Sequence, residues 1–427
     1  MKKLNILLIA DIGYASPYWL DYCRILQEDF DFNVKVISPK MNRWQKKFFN
    51  VQKVGSVELL ETKSFPMFYR RVDGMPRLLR RIVKSGELLR NKLWGLTSIE
   101  IFRPAASNHE AWVPLAVKEI LELMTTWKVD VLISTCLPFE VHEIAKSVKI
   151  QTSAAWIADY RDPYSHSHTR SGQADSGLIE HEKAILSTAD ACTTTSFGFS
   201  AAVRKVFGGP IHVLHNGFDE LNKNPKPPIQ LPIEILYQGS IYPNFQFVSI
   251  VLEALDGLYD NLQVEKSLEI PIRITFGGFS THVVQQFYSM KGQDLPSWVK
   301  LQGIFDFGTT RLLQQSANFL LLLNWEDLTQ PGVMQTKLYE YISSGTPILS
   351  TGGSYLDETS EILRSTNTAH HFRNSGELTR YLQDVLRKLE IDYAPNYQEI
   401  LKFSRRNQAK VLAELIENLT QVAEREL

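Results

Sequence analysis

The sequence predicts an α/β protein of two domains, each a parallel sheet wrapped by helices. Short apolar runs alternate with amphipathic segments along the whole chain. Its 427 residues exceed what a single hydrophobic core sustains. Midway, the proline-rich, apolar-poor stretch Asn222-Lys-Asn-Pro-Lys-Pro-Pro228 interrupts the alternation, which then restarts.

The runs place strands of the first half at Asn5–Ala10, Asn33–Ser38, Val129–Ser134, Ala154–Ala158, Ala191–Thr194 and Ile211–Leu214. Those of the second half fall near Ile233–Tyr237, Ile272–Phe276, Val299–Gln302, Phe319–Leu323 and Pro347–Ser350. Tyr397 to Leu427 reads as a charged amphipathic helix. The domains expected are 1–220, 221–396 and the terminal helix 397–427.

Hydrophobic content of 44% and charged content of 22% are those of an ordinary globular protein. A net charge of -1 argues against a globally basic nucleic-acid binder. Cys23, Cys136 and Cys192 are few, odd in number and widely spaced, which points to a reducing compartment without a disulfide framework. The start, Met1 to Asp11, reads as a first buried strand rather than a signal peptide. No apolar run reaches the length of a membrane span, so a cytoplasmic protein is expected.

Ligands of parallel α/β sheets bind beyond the carboxyl ends of the strands, and the chemistry-bearing segments follow strands here. In Gly332-Val333-Met-Gln-Thr336-Lys337-Leu-Tyr-Glu340-Tyr-Ile-Ser-Ser-Gly345, Lys337 and Glu340 stand one helical turn apart on one face. The helix start behind Gly332 offers free N–H groups and positive dipole to an anion. Such a helix can hold a sugar nucleotide, Lys337 at the diphosphate and Glu340 at the ribose hydroxyls. Its Leu338 and Ile342 should face the core. In the first half, Trp156-Ile-Ala-Asp159-Tyr160-Arg161-Asp162-Pro163-Tyr164 runs from a strand into two carboxylates flanking a guanidinium. By residue chemistry alone this cluster either holds its loop or does chemistry. His166 and His168 follow in a Ser-His-Ser-His loop, where acceptor contact is open to His166. Phe276-Gly277-Gly278-Phe279 reads as a tight turn, and Asp29-Phe-Asp31 as a surface turn rather than a metal site.

Between Lys63 and Gly95, Arg77, Arg80, Arg81 and Lys84 alternate with apolar residues at helical spacing. A basic amphipathic helix can rest on an anionic membrane, each near-surface cation contributing about 1 kcal/mol. An ordinary solvated helix packed on the sheet is the alternative.

These segments together resemble the GT-B glycosyltransferases of the family-4 type, from the first strand to the terminal helix. Asp159–Pro163 closely resembles the Asp-Phe-Arg-Asp-Pro-Trp signature of a bacterial subgroup, with Tyr160 and Tyr164 in place of its aromatics. Thr336–Tyr341 looks like the family's donor-binding helix. Asp11-Ile-Gly13 lies where the family has a glycine loop near the donor phosphates. His215-Asn216-Gly217-Phe218-Asp219 looks like its Pro-Asn-Gly-Phe-Asp segment, a turn that in the family can touch donor. Leu301-Gln-Gly303-Ile304-Phe305 resembles the loop that reads the nucleobase. The loop Gly239-Ser240-Ile-Tyr242-Pro243 resembles the family's Gly-Arg loop, whose Arg and a Lys five residues on grip the diphosphate; here Ser240 and Phe245 stand at those positions. Of the family's two glutamates eight residues apart, Glu340 matches the second and the first falls at Gly332.

The resemblance implies two Rossmann-like domains facing across a cleft, with the terminal helix crossing back to the first. It implies transfer of a glycosyl group from a nucleoside-diphosphate sugar to an acceptor hydroxyl, with retention, in bacterial polysaccharide or glycolipid synthesis. Donor contacts are expected from Gly13, Asn216, Gly239, Ser240, Tyr242, Gly303, Ile304, Phe305, Gly332, Val333, Thr336, Lys337 and Glu340. Asp162 or Asp159, with Arg161, would orient the acceptor. Arg77, Arg80, Arg81, Lys84 and His166 would meet a saccharide or lipid-linked acceptor or an anionic membrane surface. No bound cofactor or metal and no nucleic acid are expected. A sugar-nucleotide epimerase and a non-catalytic binding protein of the same fold are the rivals. The latter draws on the two missing cations.

Overall fold

The computed structural model describes residues 3–13, 18–41, 57–62, 110, 112–167, 176–224, 226–261, 271–278, 281–326, 332–354 and 356–425. The basic stretch with Arg77, Arg80, Arg81 and Lys84 lies outside them, as does His168. The chain divides into two compact units. The first comprises residues 1–194, 202–212 and 411–427; the second comprises 195–201 and 213–410.

The first sheet is built from β1 (Asn5–Ile9), β2 (Asn33–Pro39), β3 (Glu58–Thr62), β4 (Val131–Cys136), β5 (Ala155–Tyr160), β6 (Ala191–Thr194) and β7 (Ile211–Val213). The helices described along this part of the chain are α1 (Trp19–Phe30), α2 (Trp112–Met124), α3 (Glu140–Lys149), α4 (Ser176–Leu186) and α5 (Phe197–Val203). Strand order is β3-β2-β1-β4-β5-β6-β7. Leu7, Ile9, Leu132, Trp156 and Ala158 sit in its core.

The second sheet holds β8 (Ile233–Gln238), β9 (Ile272–Gly277), β10 (Val299–Gln302), β11 (Phe319–Leu323), β12 (Ile348–Thr351) and β13 (Ala369–Phe372), in the order β10-β9-β8-β11-β12-β13. The helices described along this part of the chain are α6 (Ser249–Asn261), α7 (His282–Met290), α8 (Phe307–Ser316), α9 (Thr336–Ser343), α10 (Glu358–Thr366), α11 (Ser375–Lys388), α12 (Tyr397–Lys402) and α13 (Arg405–Arg425), the last belonging to the first unit from residue 411 on. The strands of this sheet pair in parallel throughout. Its order reverses between β8 and β11, as the first sheet's does between β1 and β4. At such switch points the loops leaving adjacent strands part and open a crevice. No described helix is long and apolar enough to cross a membrane.

The eleven strands expected from sequence are all present, within two residues at their ends. β3 and β13 were not foreseen. Both are edge strands, and Glu58-Leu-Leu-Glu-Thr62 and Ala369-His-His-Phe372 keep polar side chains half in solvent. Neither therefore forms the continuous apolar run of a strand buried on both faces. The chain passes from one unit to the other between His212 and Val213 and also at 194/195, 201/202 and 410/411, so no single point divides it. The turn at Gly217 is tied to the segment beyond α12. Arg405 N–H donates to Phe218 O (2.8 Å), and the Arg405 guanidinium pairs with Asp219 (2.7 Å).

The ends of β8 and β9 approach closely. Gly239 N–H donates to Gly277 O at 2.9 Å. Gly278 has φ +134°, and a Cβ there would lie 2.4 Å from Gly239 O. Conformation and contact both require glycine. Gly278→Ala should cost about 2–3 kcal/mol, combining left-handed strain with displaced backbone. Gly303→Ala is the control: its Cβ meets nothing within 4 Å. Equal denaturant midpoints for the two variants would refute this account of Gly278.

Candidate active site

In the second unit the expected donor residues gather at the carboxyl ends of β8, β9 and β10 and at the start of α9. The periodicity Leu338, Tyr339, Tyr341, Ile342 buries one face of α9 against the sheet, as the sequence suggested for Leu338 and Ile342. That leaves Lys337 and Glu340 half-buried on its flank. Lys337 Nζ donates to Tyr237 Oη (2.8 Å) and lies 4.1 Å from that ring's centroid. A Cβ on Gly239 (φ +118°) would stand 2.9 Å from the same Nζ. Tyr237 Oη in turn donates to Ser240 O at 2.7 Å. The ammonium thus sits on the backbone of the Gly239–Ser240 loop.

Among the described residues Lys337 forms no ion pair; its partner is a phenol. Burial pushes its pKa down to about 7, with Glu340 opposing. Glu340 accepts from Gln314 Nε2 (3.3 Å), and burial raises its carboxyl above the usual range against the pull of Gln314, Lys337 and Arg405. An ammonium taken from water without a counter-charge is costly. It is stabilised by an anion brought to it.

Phe305 lies against Gly277, where a Cβ would come within 2.6 Å of the ring, while Ile304 is exposed and Gly303 is open. The start of α9 has no side-chain cap, so its first N–H groups remain for another acceptor. Val333 is half-buried and Thr336 exposed beside them.

Gly332 meets protein backbone. At φ +102° a Cβ would lie 2.5 Å from Phe199 N, and its carbonyl accepts from Ser196 Oγ at 2.7 Å. There is room for neither the glutamate of the resembled family nor a side chain of any kind. A carboxylate that the sequence did not reveal lies close by: Glu358, first residue of α10, accepts from Phe197 N–H at 2.9 Å and from Gly198 N–H. Burial raises its pKa to about 7. His215 Nδ1 lies 3.8 Å from Glu358 and also meets Thr195 O and Tyr339 Oη, with half-buried Asn216 next in the chain.

In the first unit β5 runs to Tyr160, two residues past the expected end. Asp159 is therefore inside the sheet, opposite Thr135 and Thr193. It is fully buried and accepts from Thr135 Oγ1 (2.7 Å), Thr193 Oγ1 (2.7 Å) and Trp19 Nε1 (3.1 Å). Arg161 Nη1 approaches it at 3.5 Å, and the guanidinium lies 5.0 Å from the Tyr18 ring centroid. Asp159 thus orients Arg161 from below. Asp162 is the half-buried carboxylate of the pair. His166 is half-buried, with Nδ1 at 2.9 Å from Ser165 Oγ and its pKa lowered by burial. Gly13 is buried at the end of β1. Among the described residues no group of three His, Cys, Asp or Glu side chains could hold a metal ion.

No protein-family model matches the sequence, and no curated protein matches it. Solved structures do. TarM superposes with a TM-score of 0.61 at 10% identity, over 98% of this chain and 99% of that one. Anabaena HepE, in complex with UDP and glucose, gives 0.54 at 13% identity over 99% and 98%. The lipopolysaccharide outer core galactosyltransferase WaaB, in its apo form, gives 0.54 at 13% over 99% and 100%. Likeness over both whole chains shows the fold: two parallel-sheet α/β units of the GT-B type.

Removing the Asp159 carboxylate would orphan an indole N–H, two hydroxyls and a guanidinium in the core. Asp159→Ala should therefore destabilise the protein by about 3–5 kcal/mol in chemical unfolding. A loss below about 1 kcal/mol would show that water reaches this network.

Proposed function

We propose that the protein is a glycosyltransferase that moves a glycosyl group from a nucleoside-diphosphate sugar to an acceptor hydroxyl. One observation carries the reading: the ammonium of Lys337, held against the glycine loop after β8 without an anionic partner among the described residues, one helical turn from Glu340. A diphosphate supplies the missing charge, and Glu340 lies one turn on for the ribose hydroxyls. The uncapped start of α9 adds oriented N–H groups. Gly303, Ile304 and Phe305 then border the base. The solved structures support the class of ligand and reaction, since HepE was seen with UDP and glucose and WaaB is a galactosyltransferase.

In the reaction the acceptor oxygen bonds to the anomeric carbon as the bond from that carbon to the diphosphate oxygen breaks. The hydroxyl proton passes to the departing β-phosphate. Lys337 stabilises the charge that grows on this leaving group, which is where preorganised donors act most strongly. Ser240 and Phe245 stand where the resembled family has cations, so Lys337 takes their place, helped by the N–H groups at the start of α9. In the first unit Asp162 and Arg161 orient the acceptor, with Asp159 as a positioning residue behind Arg161.

Lys337→Met and Glu340→Ala should each weaken binding of the preferred nucleotide sugar by about tenfold or more, the worth of one charge-assisted hydrogen bond. Titration calorimetry against UDP, GDP and ADP sugars measures this; unchanged affinity in both variants would sink the assignment. Incubation with the sugar nucleotide alone, followed for an isomer, separates transfer from epimerisation.

Binding should also be linked to protons. In the free protein Lys337 loses its proton as pH rises through about 7, whereas the diphosphate binds the charged form. Affinity for an intact nucleotide sugar, whose diphosphate does not titrate near neutrality, is then greatest below pH 7. It falls by up to about tenfold per unit above it. Proton uptake in buffers of different ionisation enthalpy reports the same linkage and should vanish in Lys337→Met.

A further inference from the structure

The loops leaving β8 and β11, the two strands at which the second sheet reverses its order, bring three aromatic rings together. Phe245 stacks on Trp325 with centroids 4.3 Å apart and planes at 16°. Tyr242 meets Trp325 edge-on at 5.7 Å and is half exposed, at 50%. The cluster is anchored to the start of α9. Tyr242 N–H donates to Gln246 Oε1 (3.1 Å), and Gln246 Nε2 donates to Leu323 O and to Oε1 of Gln335, the residue before Thr336. Glu326 N–H donates to Phe245 O (2.8 Å).

At the ends of the same two strands stand polar groups without partners. Gln238, 8% exposed, has both side-chain amide atoms unpaired among the described residues, and Asn324, 2% exposed, has Oδ1 unpaired. The register pairs Leu320 with Leu236, and continued to the strand ends it sets Gln238 level with Leu322, two residues before Asn324 and on the same side by alternation. Orphaned amides are costly in a protein interior and call for a hydroxylated partner.

We propose that Tyr242, Phe245 and Trp325 form a stacking platform for the glycosyl group of the donor, with Gln238 and Asn324 bonding its hydroxyls. The proposal rests on the nucleotide-sugar reading and deepens it. Rings cannot neutralise a diphosphate, but a pyranose presents C–H bonds on its faces and hydroxyls around its rim. Aromatic faces take the first and amides the second, the division of labour usual in small-molecule sites. The sugar is bonded directly to the β-phosphate assigned to Lys337, and the platform is tied through Gln335 to the helix that carries that lysine.

The test compares UDP-, GDP- and ADP-glucose with the free diphosphates, by calorimetry on the full chain. Tyr242→Ala should weaken the best-bound nucleotide sugar by about tenfold while leaving its free diphosphate within about twofold, and Tyr242→Phe should restore the affinity. An equal loss for both ligands, no loss for either, or a change confined to acceptor KM would overturn the platform. If the wild-type protein binds none of these probes, the nucleotide-sugar reading itself fails and takes the platform with it. That failure is visible before any variant is made.

Discussion

The loop ends of β8 and β9 in the second unit are organised around the buried ammonium of Lys337, which forms no ion pair among the described residues. An ammonium is held beside a glycine, and each neighbour follows from keeping it there. Gly239 has φ +118°, which favours glycine, with Nζ where a Cβ would stand, and Gly278 must lack a side chain because Gly239 O occupies its space. The phenol of Tyr237 gives Lys337 a neutral partner and passes the interaction to the Ser240 carbonyl. Among the described residues its hydrogen-bond partner is neutral, and burial lowers its pKa to about 7.

The departure from the resembled family is coherent on these terms. Where the resembled family has an Arg and a Lys, this chain has Ser240 and Phe245, and Phe245 stacks on Trp325. Gly332 is no defective glutamate either. Its carbonyl accepts from Ser196 Oγ, and a Cβ on it would run into the backbone of Gly198 and Phe199, so the residue type is set by packing. The carboxyl group near that point is that of Glu358, which accepts from Phe197 N–H and whose pKa burial raises to about 7.

The first unit shows how a sequence motif can mix two kinds of residue. Asp159 and Asp162 look equivalent in Asp-Tyr-Arg-Asp. One is the penultimate residue of a central strand with its oxygens taken by Thr135, Thr193 and Trp19; the other is half-buried beyond the strand. Arg161 between them is oriented by the first.

The sequence by itself determined eleven of the thirteen described strands, the edge strands β7 and β10 among them, the two-unit α/β class and the helix that puts Lys337 and Glu340 on one face. These follow from apolar runs and from periodicity within a few residues, which fix backbone geometry locally. It did not determine the edge strands β3 and β13, whose solvent-facing polar residues blur any local pattern. Only tertiary structure decided that Asp159 is buried, that Gly332 faces backbone, that Glu358 lies beside His215, and that Tyr242 and Phe245 meet Trp325. Each of these brings together residues distant in the chain. What a side chain faces there depends on sheet order and register, which no local stretch of sequence encodes.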